Sequence, residues 1–298
     1  MNILITCIHW PVASGRYMYD AFLRLGHDVR SAGPAACNNI WGSKVNPKYE
    51  WQPDYGGNGS GRFSTKDWEP DLVINMDTAY VSHNTYDCPH VVYTVDNHVR
   101  RVDNMGVNFD HYFLAHRAGP TMPVDAKSGK HTWLPCAYDP VWFTPSPIPF
   151  ADREYDVCMI GVGYPERVEL VEAMKAAGLK VRAGTGIVYD QYRDAYHNSR
   201  ISLCKSVCGD VAQRVFETAA MGCMVLSDGC TDFERLDFDE WFHYVPYSSN
   251  DEAIDHVAFA IAHPLIPTRR IASSQAWALK HTWDARAQTI LDTMFEGK

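Results

Sequence analysis

Two charged side chains, Arg214 and Glu217, lie in an otherwise small and apolar stretch, residues 209–228 (GDVAQRVFETAAMGCMVLSD). If this stretch is helical, Asp210, Arg214, Glu217 and Met221 share one face. The two charges can then form an ion pair on the helix surface. Alternatively they bind a ligand, with the carboxylate accepting hydrogen bonds from hydroxyl groups and the guanidinium holding phosphate oxygens. The spacing alone leaves both roles open.

A general base at the end of a strand is the second chemical feature. Asp96 directly follows the apolar run HVVYTV, and functional residues of parallel sheets collect where strands end. His9 stands after the first apolar run, and Asp77 and His116 follow later ones. An aspartate in such a place is more often a turn former or a helix cap, so the assignment of Asp96 as the base stays a hypothesis.

Strands and helices must position these residues, and the first half alternates between short apolar runs and amphipathic segments. The pattern predicts a helix over 16–25 and strands over 2–8, 71–75, 90–95, 111–114 and 131–134. The first strand is not followed by G-x-G-x-x-G, which weakens a dehydrogenase interpretation. At the start of the first helix, Gly15 marks a place where backbone amides can hold a phosphate.

After the proline-rich stretch 140–150 the alternation starts again. It predicts strands over 155–161, 180–183, 201–204 and 223–227, and helices over 165–177, 189–197, 211–221 and 283–295, with Asp210 as an N-cap. We therefore predict an α/β protein with two Rossmann-like domains, residues 1–145 and 146–282, that face a central cleft.

Composition excludes several classes of protein. The net charge of −9 argues against a general nucleic-acid or membrane binder, although residues 1–150 carry 12 Lys and Arg against 14 Asp and Glu and are nearly neutral. No apolar run is long enough to span a bilayer, and we expect no signal peptide. Nine cysteines, an odd number, predict free thiols in a reducing cytoplasm. The D-x-D at 237–239 lies in an acidic, aromatic run and is interpreted as surface rather than a metal site.

The second half resembles a known family. The blocks YDVCMIGVGYPERVELVEAMKAAGLKVRAGTG, YRDAYHNSRISLCKS, RVFETAAMGCMVLSD and RRIASSQAWALKHTWDARAQTILD are similar to the C-terminal half of GT-B glycosyltransferases, especially the CgeB-like group. The resemblance covers residues 155–292 and implies the GT-B fold. By analogy with that fold, the C-terminal helix at 283–298 is expected to pack back on the first domain.

The resemblance further implies a metal-independent transfer of a sugar from a nucleotide-diphosphate donor, a UDP-sugar, to a soluble acceptor, with no cofactor and no membrane. Glu217 matches the acid that binds donor hydroxyls. The other implied donor-binding residues are cations near the departing diphosphate and glycines after strands: Arg167, Lys205, Arg214, Gly15, Gly161, Gly163 and Gly184. Retaining members often carry a second acid eight residues before Glu217, but Gly209 stands there, so the stereochemistry stays open.

The acceptor is left open between a small molecule, a glycan or protein, and a hydroxymethylated base in DNA. Trp41, in the aromatic-rich segment 32–69, and the basic pair Arg100 and Arg101 are the candidate acceptor-binding residues, because a flipped base needs stacking partners and a locally basic groove. A nucleotide-sugar epimerase or hydrolase and a non-catalytic binding protein are the alternative functions. Product analysis separates them.

Overall fold

The computed structural model describes residues 1–35, 46–55, 68–77, 85–95, 107–116, 130–206 and 209–296, and the backbone of 39–40 and 43–44. Asp96, Trp41, Arg100 and Arg101 lie outside the described residues. The chain divides into two compact units. The first comprises Met1–Asn38, Asn46–Cys136 and Trp283–Lys298, and the second comprises Asn39–Val45 and Ala137–Thr282.

The first unit is built on a six-stranded parallel sheet. Its strands are short apolar runs, as expected for a parallel sheet buried on both faces, and β5 and β6 are buried throughout. Its strands in chain order are β1 (Asn2–Thr6), β2 (Asp28–Ala32), β5 (Leu72–Met76), β6 (His90–Thr94), β7 (His111–Leu114) and β8 (His131–Trp133). The short antiparallel pair β3 (Asn39–Ile40) and β4 (Ser43–Lys44) groups with the second unit. The sheet order is β2-β1-β5-β6-β7-β8.

Helix α1 (Ser14–Arg24) of the first unit packs against the C-terminal helix of the chain, Trp283–Phe295. The rings of Tyr17 and Trp283 stack with centroids 6.2 Å apart, and Arg24 forms an ion pair of 2.5 Å with Asp284. Arg286 is buried and donates from Nε to the carbonyl of Pro135 at 2.8 Å. The end of the chain is therefore part of the first unit.

The second unit is a five-stranded parallel sheet in the order β10-β9-β11-β12-β13. Its elements in chain order are β9 (Tyr155–Ile160), α2 (Pro165–Ala176), β10 (Val181–Gly184), α3 (Tyr189–His197), β11 (Ser199–Cys204), α4 (Gln213–Ala220), β12 (Met224–Ser227), β13 (Tyr244–Pro246), α5 (Asn250–Ala262) and α6 (Leu265–Ala278). The C-terminal helix of the first unit, Trp283–Phe295, is α7. Both units are thus α/β with parallel sheets.

Residues 137–145 belong to the second unit, whereas the sequence places them in the first domain. Side chains of α3 hold this segment: His197 Nε2 lies 2.7 Å from the carbonyl oxygen of Thr144, and the rings of Phe143 and Tyr192 meet edge to face. Among the described residues, no helix is both long and apolar enough to cross a membrane.

Candidate functional site

The carboxyl ends of the strands of the second sheet meet at one edge, because all of its strands run parallel. Gly161 follows β9, Lys205 follows β11 and Asp228 follows β12. Helix α4 begins at the same edge, between β11 and β12. This edge therefore collects glycines, cations and carboxylates from separate parts of the sequence.

Arg214 is anchored to the last residue of β9. Its Nη2 donates to the carbonyl oxygen of Ile160 at 2.6 Å. Gly161 has a φ of 150°, and a Cβ at this position would overlap Arg214 Nη2. The amide of Ile160 donates to the hydroxyl of Tyr196 at 3.1 Å, so the same peptide segment is held from both sides. A glycine at 161 lets the guanidinium reach the strand end.

Within the part of the chain that the structure describes, no protein group pairs with the rest of the Arg214 guanidinium. Its Nε and Nη1 are buried and form no hydrogen bond. Buried donors are almost always paired, and an unpaired donor on a charged group carries a large desolvation cost. Because both free donors belong to a permanent cation, an anion would pair them more strongly than a neutral acceptor.

Glu217 lies three residues further along α4, with only 7% of its surface exposed. Its Oε2 accepts from the hydroxyl of Tyr192 at 2.7 Å, and its Oε1 accepts from Gln213 Nε2 at 2.7 Å. Burial raises the pKa of Glu217, while the two hydrogen bonds and the charge of Arg214 act to lower it. A carboxylate has about four acceptor positions, so two such bonds leave capacity for hydroxyl groups of a ligand.

Of the two roles that the spacing leaves open, the surface ion pair does not form among the described residues: Arg214 and Glu217 bind different partners. The expected cap is also wrong. Helix α4 begins at Gln213, and its N-cap is Ala212, which makes no side-chain bond. Asp210 lies two residues before this N-cap, and its carboxylate instead accepts from the hydroxyl of Ser206 at 2.8 Å.

Two other predicted cations are occupied by protein groups. Arg167 is buried, and its Nε and Nη2 donate to the carbonyl of Lys205 at 3.1 and 2.7 Å. Lys205 Nζ lies 3.6 Å from Asp228 Oδ2. Arg167 therefore holds the end of β11 in position, and Lys205 is neutralised by a neighbour, which leaves Arg214 with the free donors.

The predicted glycines differ in their surroundings. A Cβ at Gly15 would lie 2.9 Å from Cys7 Sγ, so this glycine lets α1 pack closely on β1. Additional Cβ atoms at Gly163 and Gly184 would lie 3.4 Å from Val168 and 3.1 Å from Ile187, respectively. Of the four, Gly161 is the one whose lack of a side chain opens space for a charged group.

His9 lies after β1, at the carboxyl edge of the first sheet. It is 1% exposed, and its ring is 4.1 Å from that of Trp51. Burial lowers the pKa of His9 to about 4, so the imidazole is neutral at pH 7. Asp77 follows β5 with a left-handed φ of 70°, and His116 is buried after β7.

Three tyrosines of this site were not predicted: Tyr192, Tyr196 and Tyr247. Tyr192 and Tyr196 are one helical turn apart on α3, and this spacing in YRDAYHNS was the available signal. Tyr247 follows β13, and its buried hydroxyl has no partner among the residues that the structure describes. Its position after a strand end is the only sequence signal for it.

No group of three or more His, Cys, Asp or Glu side chains positioned to hold a metal ion occurs among the residues that the structure describes. Within the D-x-D segment, Phe238 is buried and Asp239 lies 3.8 Å from the ring of His243. Seven cysteines of the described residues are free: Cys7, Cys88, Cys136, Cys158, Cys204, Cys223 and Cys230.

Comparison with known proteins gives one family. Residues 148–292 match a family model described as glycosyl transferase-like. A sequence comparison with curated proteins finds no match.

Solved structures with a similar fold cover the whole chain. HepE of Anabaena in complex with UDP and glucose superposes with a TM-score of 0.67 at 12% identity, over 98% of this chain and 99% of that one. An alpha-glucosyltransferase in complex with UDP-glucose and DNA containing an abasic site gives 0.66 at 11% identity, over 99% and 100%. AviGT4, a glycosyltransferase involved in avilamycin A biosynthesis, gives 0.63 at 15% identity, over 99% and 97%.

Proposed function

We propose that this chain, which has the GT-B fold and matches the glycosyl transferase-like family model over residues 148–292, transfers a sugar from a UDP-sugar to a soluble hydroxyl acceptor without a metal ion. In this reaction the acceptor oxygen forms a bond to the anomeric carbon and the bond from that carbon to the diphosphate oxygen breaks. The acceptor proton passes to a base, and UDP leaves.

The observation that carries the proposal is the pair of unsatisfied donors on Arg214. A diphosphate presents several oxygens that match the planar fork of a guanidinium. In a buried setting this interaction is stronger than in water, and it strengthens further as negative charge grows on the leaving group. The bond to Ile160 fixes the guanidinium before the donor arrives, so little reorganisation is needed.

Glu217 is proposed to accept hydrogen bonds from hydroxyl groups of the donor. Tyr192 and Gln213 hold its two oxygens from the protein side, which fixes the orientation of the carboxylate. UDP is the nucleotide we propose because similar structures contain UDP or UDP-glucose. Gly161, Gly163 and Gly184 would let the backbone lie close to the nucleotide, and Arg167 and Lys205 position the strand ends around it.

For the acceptor side we propose Asp96 as the base and His9 as the second candidate. Trp41, Arg100 and Arg101 are proposed to contact the acceptor. A hydroxymethylated base in DNA is one acceptor to test, since the alpha-glucosyltransferase structures with a similar fold include DNA complexes. Mass spectrometry of acceptor pools with and without hydroxymethylated DNA, after incubation with UDP-sugars, identifies the class.

The proposal predicts that Glu217→Ala loses affinity for the UDP-sugar. A carboxylate that accepts hydrogen bonds from two hydroxyls contributes about 1.5–3 kcal/mol per bond, so a loss of at least tenfold in affinity is expected. Calorimetric titration of UDP-sugars measures it. Glu234→Ala, an exposed glutamate of the same unit, is the matched control. Wild-type affinity in Glu217→Ala would refute the role of this residue.

Tyr192 is a positioning residue in this scheme, because it holds the carboxylate of Glu217. Its replacement should shift the pH dependence of the affinity for the donor. Donor affinity should fall as the pH drops through the pKa of Glu217, which is raised above its ordinary value of 4.5, because a protonated carboxyl accepts fewer hydrogen bonds. Tyr192→Phe removes a hydrogen bond that lowers this pKa, so the acid limb should move to higher pH.

The measurement is the affinity for a UDP-sugar as a function of pH in the wild type and in Tyr192→Phe. Tyr244→Phe is the matched control, because the hydroxyl of Tyr244 also donates to a carboxylate, Glu240, at 3.3 Å. An acid limb that stays in place in Tyr192→Phe would show that Tyr192 has only a structural role.

A further inference from the structure

The second unit exposes an apolar groove that the proposed reaction does not use. Trp241 is 54% exposed, Phe242 59%, Leu265 80% and Ile266 45%. With Arg269 and others, these side chains line a cavity of about 500 Å³. Scattered apolar residues are normal on a protein surface, but a contiguous apolar patch of this kind marks an interaction site.

The groove lies at the opposite edge of the sheet from the candidate donor site. Trp241 and Phe242 precede β13, whereas Arg214 binds at the carboxyl end of β9. Because β9 to β13 are parallel, the start of β13 is at the amino edge of the sheet. Occupation of the groove therefore leaves the donor site free.

The backbone of Trp241 has an unusual conformation that hydrogen bonds hold in place. It has a left-handed φ of 62°, which is costly for a large side chain. Its amide donates to the carbonyl of Tyr244 at 2.7 Å, and its carbonyl accepts from Arg270 Nε at 2.9 Å. Both bonds hold the strained conformation in place. A strained residue that is fixed in this way at a surface points to a functional contact.

Charged residues of both signs line the groove or directly precede Trp241 in the sequence. Arg269 on α6 is exposed, and Asp237, Asp239 and Glu240 lie directly before Trp241. An anionic membrane or an acidic peptide would meet these three carboxylates. A second copy of the chain offers both signs of charge. In a two-fold interface each contact between two different residues occurs twice, so the arginine of each copy can face the carboxylates of the other.

We propose that two copies of this chain associate through the groove about a two-fold axis. Trp241, Phe242, Leu265 and Ile266 form the apolar centre, and Arg269 of each copy faces the acidic segment 239–240 of the other. Aromatic and aliphatic anchors at the centre of an interface, with a charged rim, are typical of protein–protein contacts.

Sedimentation velocity of the full chain over a range of concentrations tests the proposal. We expect a concentration-dependent dimer and, in Leu265→Asp, a dissociation constant at least about thirtyfold higher, as for loss of an interface hot spot. Asp in the first turn of a helix is favourable, so this variant should fold. The matched control is Leu279→Asp, at the other end of the same helix and 72% exposed, which should leave the dimer unchanged.

A charge exchange tests the rim separately. Arg269→Glu and Glu240→Arg should each weaken the dimer, and the double variant should restore it. A chain that stays monomeric up to about 100 μM, a concentration well above the dissociation constants of specific interfaces, would overturn the proposal. A dimer that Leu265→Asp does not affect would also overturn it. The same holds if no dimer forms and the chain instead binds phosphatidylglycerol vesicles in a way that Leu265→Asp abolishes.

Discussion

Arg214→Gln is expected to lower kcat/KM for the UDP-sugar by about 10²–10³, the loss seen when a group that stabilises developing negative charge is removed. The guanidinium is fixed by its bond to Ile160 and has two further buried donors for the diphosphate. Glutamine carries neither the charge nor the fork. The affinity for UDP should fall towards that for uridine, because the contribution of the diphosphate is lost. Calorimetry with both ligands measures this difference.

Arg214→Lys should recover little of the activity. One ammonium group cannot donate to Ile160 and present two further donors in a plane, so the charge remains but the geometry is lost. Arg182→Gln, an exposed arginine on the edge strand β10, is the control and should behave as the wild type. If Arg214→Gln keeps the wild-type preference for UDP over uridine, Arg214 does not bind the diphosphate.

The strands in the centre of each sheet could be predicted because their sequences are almost entirely apolar. β5 and β6 are predicted to within one residue, as every residue in them is buried between two layers. β2 was missed because it is an edge strand, DVRSA, whose half-exposed positions carry polar residues. Helix α6 was missed because it exposes Leu265 and Ile266 and carries Pro267 in its first turn, which weakens the amphipathic pattern.

At the candidate site, the spacing of residues in the sequence predicts which helix face they share but not which groups they bind. Periodicity correctly places Arg214 and Glu217 on α4, but it leaves an ion pair and a ligand clamp equally compatible with the sequence. The outcome depends on partners distant in the sequence. The carbonyl of Ile160 is 54 residues from Arg214, and Tyr192 is 25 residues from Glu217. The bond from Arg214 Nη2 to Ile160 needs the space that Gly161 leaves beside Nη2, which a sequence pattern does not encode.

Asp96→Asn is expected to lower kcat by about 10²–10⁴, the usual contribution of a general base, while the affinity for the UDP-sugar is unchanged. Asp96 follows β6 and His9 follows β1, and one strand, β5, separates these two strands in the sheet. The strands that precede the two residues in the sequence are parallel, so the carboxyl ends of β1 and β6 lie at the same edge of the first sheet. Single-turnover kinetics with a saturating donor, together with calorimetry, separates the loss of chemistry from a loss of binding.

His9→Gln is the informative comparison. The pKa of His9 is lowered to about 4 and its ring is buried, so it accepts a proton no more readily than an ordinary carboxylate with a pKa of about 3.9. With Asp96 as the base, the replacement of His9 should cost less than about tenfold in kcat, less than the usual contribution of a general base. The comparison of the two variants therefore decides between the two residues. The reverse result, with a large loss in His9→Gln and a small one in Asp96→Asn, would assign the proton transfer to the imidazole.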